Sequence, residues 1–192
     1  MPLDLLRFFV DNIQPLPDAD WDAFSAIWQP FSCKRKTLLT TAGDTERYLY
    51  FVIDGVQRSY FLNAQEKETT IVFTYPPSFS GVADSFLTQQ PSRFYFETLT
   101  ASSFLRTTHA QLARLMEERP AIQRFVLRTT ALALKGVLER MAEQQTAPAE
   151  EKFRTFLHRS PHLLNLIPHK YLASYLGLDA ATFSKLLGSV RL

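Results

Sequence analysis

Cysteine is nearly absent: Cys33 stands alone among 192 residues. This excludes an internal disulfide and any zinc or iron–sulfur site built from cysteines, and it suits a reducing compartment. Histidine is scarce too. The four are His109, His158, His162 and His169, and none falls between Phe31 and Thr108. That stretch is the β-rich part of the chain, so a metal-binding cupin, which needs histidines on its strands, is excluded. No glycine-rich nucleophile turn, P-loop or dinucleotide fingerprint occurs, and Cys33 has no evident catalytic partner. An enzyme is not expected, nor a metal or cofactor. There is also no long apolar run. The N-terminal MPLDLLRFFVDNIQPL is broken by Asp4, Arg7 and Asp11 and lacks a basic leader, so neither a signal peptide nor a membrane span is read there. A cytoplasmic protein without a membrane partner is expected.

The residues that are present describe a folded chain: 46% are hydrophobic and 21% charged, against disorder. The net charge is only +2, but it is unevenly placed. From Glu151 onward Lys152, Arg154, Arg159, Lys170, Lys185 and Arg191 face only Glu151 and Asp179. A basic C-terminal module on a mildly acidic body suits a nucleic-acid partner, although a solvated basic face has the same composition.

Periodicity divides the chain. Leu5, Leu6, Phe9 and Val10 share one face of a short helix over Leu3–Asn12. After Pro15 and Pro17, Asp18 or Asp20 can cap a second helix through Trp21, Phe24, Ile27 and Trp28, ended by Pro30. Between Phe31 and about Arg106 helical spacing gives way to short β-rich runs separated by turns. These are Thr37–Thr41, Tyr48–Ile53, Val56–Leu62, Thr69–Tyr75 and Phe94–Thr100. Asp54-Gly55 reads as a hairpin turn, and the regular spacing predicts a closed β-roll.

Helical spacing returns after Leu105. Thr108 or His109 can cap a short helix that stops at Pro120. The longest helix is expected from Ala121 to about Gln145. Along it Leu127, Ala131, Leu134, Leu138 and Met141 form a heptad-like seam, beside a second apolar line of Ile122, Phe125, Thr129, Leu132 and Gly136. Either one face is buried and the other offered to a partner, or both form one wide core stripe. Ala147-Pro148-Ala149 follows as a hinge, then a helix with Phe153, Phe156 and Leu157 inward. The last feature is IPHKYLASYLGLDAATFSKLL, Ile167–Leu187. Two short amphipathic segments meet at Gly177, which supplies a left-handed turn, and Asp179 caps the second. On these residues alone, this is a helix-turn-helix or an ordinary αα-hairpin.

The order of these elements resembles the Crp/Fnr transcription regulators. The resemblance rests on the Lys36, Gly43, Tyr48, Val52, Gly55 spacing, the loop Phe79–Thr100, and Ile167–Leu187, which looks like the Bacteroidetes-type branch. It implies an α+β fold. An N-terminal β-roll with flanking helices (1–120), a jelly roll of the cyclic-nucleotide-binding type, would be followed by a long dimerisation helix (121–146). An all-α helix-turn-helix domain (147–192) would end the chain. The wing hairpin common in the family is missing.

The resemblance also implies site residues. In the family a Gly-Glu pair and an Arg followed by small residues hold a cyclic phosphate. Here Gly81 is in place, but Val82 replaces the Glu and Ser92 replaces the Arg. Arg93 is one residue late and Phe94 replaces a small residue. Losing both polar anchors argues against cyclic AMP binding in the family's manner, leaving an orphan pocket or another small-molecule effector. The recognition helix corresponds to about Asp179–Gly188, where Ala180 and Ala181 cannot read bases. Thr182, Ser184 and Lys185 can contact bases or phosphates, while His169, Lys170, Tyr171 and Arg191 are placed for phosphates. A homodimer on double-stranded DNA, coupled to its effector domain through the hinge, is the expected function. The alternative is a cyclic-nucleotide-type module that controls a protein partner and carries a vestigial helix-turn-helix.

Overall fold

Pro15 and Pro17 separate two N-terminal helices, α1 (Pro2–Ile13) and α2 (Asp18–Ala26). The computed structural model describes residues 1–189. Leu6 and Val10 of α1 are fully buried, as their spacing requires. In α2, Asp18 is the first helical residue rather than its cap, and the helix ends at Ala26, because the chain turns into a strand before Pro30.

The β-rich region contains β1 (Gln29–Cys33), β2 (Leu38–Thr40), β3 (Tyr48–Asp54), β4 (Gln57–Leu62), β5 (Glu68–Thr74) and β6 (Ser78–Ser80). A short helix α3 (Ala83–Thr88) follows, then β7 (Tyr95–Thr98) and β8 (Ser102–Thr108). They build two four-stranded sheets, ordered β1-β8-β3-β6 and β2-β7-β4-β5, with antiparallel pairing throughout. The five expected strands are present. β1, β6, β8 and α3 were not anticipated, since Ser- and Thr-rich segments such as Ser102–Thr108 carry a weak strand signal.

One turn behaves differently from its local signal. Asp54-Gly55 does not close a hairpin: β3 and β4 lie in different sheets, and the turn carries the chain from one layer to the other. A dipeptide sets the bend but not the pairing. The corner is held from the other side, with the Leu99 amide donating to the Val56 carbonyl at 2.7 Å and the Val56 amide to the Thr100 hydroxyl at 2.8 Å. The true hairpin is β4–β5, whose loop is tied by Asn63: its side-chain oxygen accepts from the Gln65 and Lys67 amides.

The two sheets enclose Tyr50, Val52, Val82, Phe96 and Phe104. Phe51 and Leu105 point to the outer face of the first sheet and meet α1, α2, α4 (His109–Glu118) and α5 (Pro120–Thr146). Thr108 caps α4 in a reciprocal capping box with Gln111. The outer face of the second sheet, with Val56, Phe73 and Leu99, packs on the C-terminal helices α6 (Ala149–Arg159), α8 (His169–Leu176) and α9 (Ala180–Ser189). A further single-turn helix, α7 (Leu163–Leu166), was not anticipated.

Helix α5 is two-faced. Ile122 and Phe125 are fully buried on its own body, whereas Leu127, Leu134, Leu138 and Met141 are 49–69% exposed, together with Val137. Ala131 is exposed as well. The second apolar line is buried only in its first turns, and a side chain at Gly136 would meet nothing within 4 Å in this chain.

Gly55 has φ +92°, and a Cβ there would lie 2.4 Å from Ser102 Oγ and 2.5 Å from the Ala101 carbonyl. Gly43 has φ +97° but open space around it. Gly55→Ala should therefore cost about 2–4 kcal/mol. Gly43→Ala should cost only the backbone strain, about 1–2 kcal/mol. Chemical denaturation of the two variants checks the order.

Candidate functional site

The C-terminal helices form a compact helix-turn-helix. Leu172, Ala173 and Leu176 of α8 are buried against Phe183 of α9 and Phe153 of α6. Gly177 adopts φ +67°, and the Leu178 amide reaches back to the Ala173 carbonyl at 2.9 Å, closing α8 in the way glycine permits. Asp179 caps α9: its carboxylate accepts from the Thr182 amide at 2.9 Å and the Thr182 hydroxyl at 2.7 Å. These bonds hold its pKa below the usual carboxylate range.

The capped helix leaves Ala180, Ala181, Ser184 and Lys185 exposed along one face. Thr182 is half-buried and its hydroxyl proton is committed to Asp179, so it can only accept from a ligand. His169 and Lys170 are exposed at the start of α8, the His169 ring 5.5 Å from that of Phe183. Arg191 lies outside the described residues.

Around α3 the effector candidates do not converge. Gly81 and Val82 are inside, and the Val82 amide donates to the carboxylate of Glu46, which is 1% exposed. The same carboxylate accepts from the Thr40 hydroxyl at 2.6 Å and from the Tyr48 amide, while the Glu46 amide donates to Ser85 Oγ. Burial pushes the Glu46 carboxyl up from its ordinary value, against these hydrogen bonds. Ser92 is buried, its hydroxyl engaged with the Phe94 backbone and its own backbone with Gly43 and Asp44. Residues 92–94 lie in a bend before β7 rather than on a strand, and Arg93 is exposed, its guanidinium 5.8 Å from the Phe61 ring. Phe94 and Phe96 belong to the inter-sheet core. Phe79 and Phe86 instead pack against the helices, lining a cavity of about 150 Å³ between α3 and α5 together with Gly81, Phe125 and Thr129. The Thr129 hydroxyl is buried there without a partner among the described residues.

Residues 30–119 match the family model of the cyclic nucleotide-binding domain. Solved structures cover most of the chain. FixK2 from Bradyrhizobium japonicum is 20% identical, with a TM-score of 0.76 over 84% of this chain and 83% of its own. The c-di-GMP-responsive global regulator CLP from Xanthomonas campestris is 16% identical, with a TM-score of 0.65 over 90% of each chain. The catabolite activator protein of Thermus thermophilus is 20% identical, with a TM-score of 0.58 over 100% of this chain and 90% of its own. The chain shares the fold of these three solved structures. No curated protein is a significant match.

Within this fold the helix-turn-helix is not free. Three residues on one face of α8, Tyr171, Ser174 and Tyr175, lie against the β-roll. Tyr171, expected near phosphates, instead stacks on the guanidinium of Arg58 at 3.7 Å. The Thr70 amide, on the open edge of β5, donates to Ser174 Oγ at 2.9 Å. Tyr175 sits between the Phe73 ring (5.0 Å) and the Arg140 guanidinium (3.6 Å). Arg140 donates to the carbonyls of Ile71 and Tyr175. The Ala147–Ala149 break between α5 and α6 is present, and it is bridged by Lys152 to the Gln144 carbonyl and by Arg159 to Glu143.

Glu46, Arg58 and Arg140 are not visible in the sequence because a charged residue beside a turn, in a strand or on a helix reads as exposed. The i, i+3, i+4 spacing of Tyr171, Ser174 and Tyr175 was a visible signal of a second helix face.

Glu46 gives a pH test. Its carboxyl binds a proton more tightly in the folded chain than in the unfolded one. Its contribution to stability is thus fully present below the ordinary glutamate pKa and is lost as pH rises through the raised, folded value. Glu46→Gln should remove that decline, read as a flatter dependence of the denaturation midpoint across the same window.

Proposed function

We propose that this chain is a homodimeric, DNA-binding transcription regulator whose effector pocket is orphan or retuned away from cyclic AMP. The observation that carries the reading is the free face of α9. Although α8 is packed on the β-roll, Ala180, Ala181, Ser184 and Lys185 remain exposed on a capped helix of the length and setting that enters a major groove. Lys185 is the residue assigned to a base or phosphate, with Ser184 accepting or donating nearby and Thr182 accepting only. Lys170, His169 and Arg191 are assigned to phosphate positioning.

The division of labour proposed is an effector domain over 1–120, a dimerisation helix over 121–146 and a DNA-binding domain over 147–192. The exposed stripe of Leu127, Ala131, Leu134, Leu138 and Met141 spans about 21 Å of helix. An unpartnered apolar stripe of that length supports a second copy of the chain against it. Two copies would present two α9 helices to half-sites about one helical turn apart, which compensates for the poor readout by two alanines.

The retuned effector reading is supported by Glu46 occupying the Val82 amide and by the outward position of Arg93. A second anion there would meet a carboxylate instead of a guanidinium. No helix among the described residues is long and apolar enough to cross a membrane.

Two outcomes are expected. Titration of duplex DNA should show affinity falling steeply with salt, and Lys185→Ala should lower the slope of log K against log salt by about 1. No DNA affinity at low salt would favour control of a protein partner instead. Leu134→Glu with Leu138→Glu should convert a dimer to a folded monomer in sedimentation, since both side chains leave the core untouched. Micromolar binding of cyclic AMP in calorimetry would overturn the retuned pocket.

A further inference from the structure

Arg58 is the largest fully buried side chain in the described chain, at 1% exposure. It lies on β4, and each of its three guanidinium nitrogens donates a hydrogen bond. Nε donates to Glu97 at 2.6 Å, Nη2 to Glu68 at 2.5 Å and Nη1 to Thr70 Oγ1 at 3.2 Å. The guanidinium carbon lies over two rings, Tyr60 at 4.1 Å and Tyr171 at 3.7 Å. Every contact but the last comes from the β-roll itself. The roll therefore holds a rigid, flat cation whose open face is capped by the first helix of the helix-turn-helix.

A buried arginine is a costly element, and a planar guanidinium stacks on aromatic rings in a way lysine does not reproduce. Its geometry is thus well suited to fixing orientation. The ring of Tyr171 can slide only over a plane set by Glu68, Glu97 and Tyr60. One turn further along the same face of α8, Ser174 takes the edge amide of Thr70, so the helix is held at two points, over Arg58 of β4 and at the edge of β5.

We propose that Arg58 is a positioning residue for DNA binding, acting through Tyr171 to fix α8, and with it α9, at one angle to the β-roll. This rests on the DNA-binding reading above. In a dimer joined along α5, two rolls held in place would then present two α9 helices at a preset separation. The entropy of orienting the second unit is met before DNA arrives. Without the Arg58 stack, α8 keeps its Ser174 and Tyr175 contacts but is no longer held at one angle, and the preset separation of the two α9 helices is lost.

The test uses the full chain and avoids emptying the Arg58 ion pairs, whose loss would itself unfold the roll. Tyr171→Leu removes the cap, and Tyr171→Phe keeps the ring. Two readouts are needed. Amide exchange at Thr70, whose edge N–H is protected through Ser174, should accelerate at least tenfold in Tyr171→Leu, while Phe51 and Val52 in the middle of the other sheet stay unchanged. Affinity should be measured on random-sequence duplexes of about 10 and about 30 base pairs, which accept one unit or two. The preference for the longer duplex should fall at least tenfold in Tyr171→Leu, with affinity for the shorter one unchanged, and Tyr171→Phe should match the wild type in both readouts. Unchanged Thr70 exchange in Tyr171→Leu, or an unchanged preference in that variant when the wild type binds DNA, overturns the assignment. A wild type that binds neither duplex overturns the DNA reading itself, whatever Thr70 shows.

Discussion

Each sheet of the roll has an outer face that must be covered, and the two faces are covered by different parts of the chain. The first is covered by α1, α2, α4 and the start of α5, around Phe51 and Leu105. The second is covered by the helix-turn-helix, around Val56, Phe73 and Leu99. Burial of apolar area is the main stabilising term, so an uncovered second face would be both unstable and prone to association. The edge of β5 adds a polar demand, because unpaired strand amides and carbonyls invite pairing with another chain. Ser174 and Arg140 meet it. Covering this face and edge makes the C-terminal unit part of the roll's core as well as a module beyond a hinge.

That arrangement explains how one face of α9 and one of α5 stay exposed. α8 divides its residues between Leu172, Ala173 and Leu176, facing α9, and Tyr171, Ser174 and Tyr175, facing the roll. α9 is left with one buried anchor, Phe183, and an exposed polar face. α5 is divided in the same way, with Ile122 and Phe125 inward and the leucine seam outward. In both helices an amphipathic pattern carries two interfaces, one used within the chain and one available to another molecule.

Periodic features were readable from the residues. The two faces of α5, the Gly177 turn, the Asp179 cap and the break at Pro148 all follow from local spacing and backbone preference, and each is present. Features set by long-range pairing were not. Asp54-Gly55 looks like a hairpin because a turn dipeptide reports a bend and is silent about which strands then pair. β8 is Ser- and Thr-rich, and it becomes a strand because β1 and β3 flank it on both sides. Arg58 and Glu46 could not be placed inside, since each has a hydrogen-bond partner 39 residues away in sequence. The one-residue offset between Ser92 and Arg93 was legible. The carboxylate that holds the Val82 amide was not, because it comes from a polar turn that reads as solvent-exposed.

On the proposed function, two copies of this chain present α9 to DNA as a pair. Selection of bound duplexes from a random-sequence pool tests it most directly. The account predicts enrichment of inverted half-sites with centres about one helical turn apart. Enrichment of a single unpaired half-site, or no enrichment over the starting pool, would contradict it.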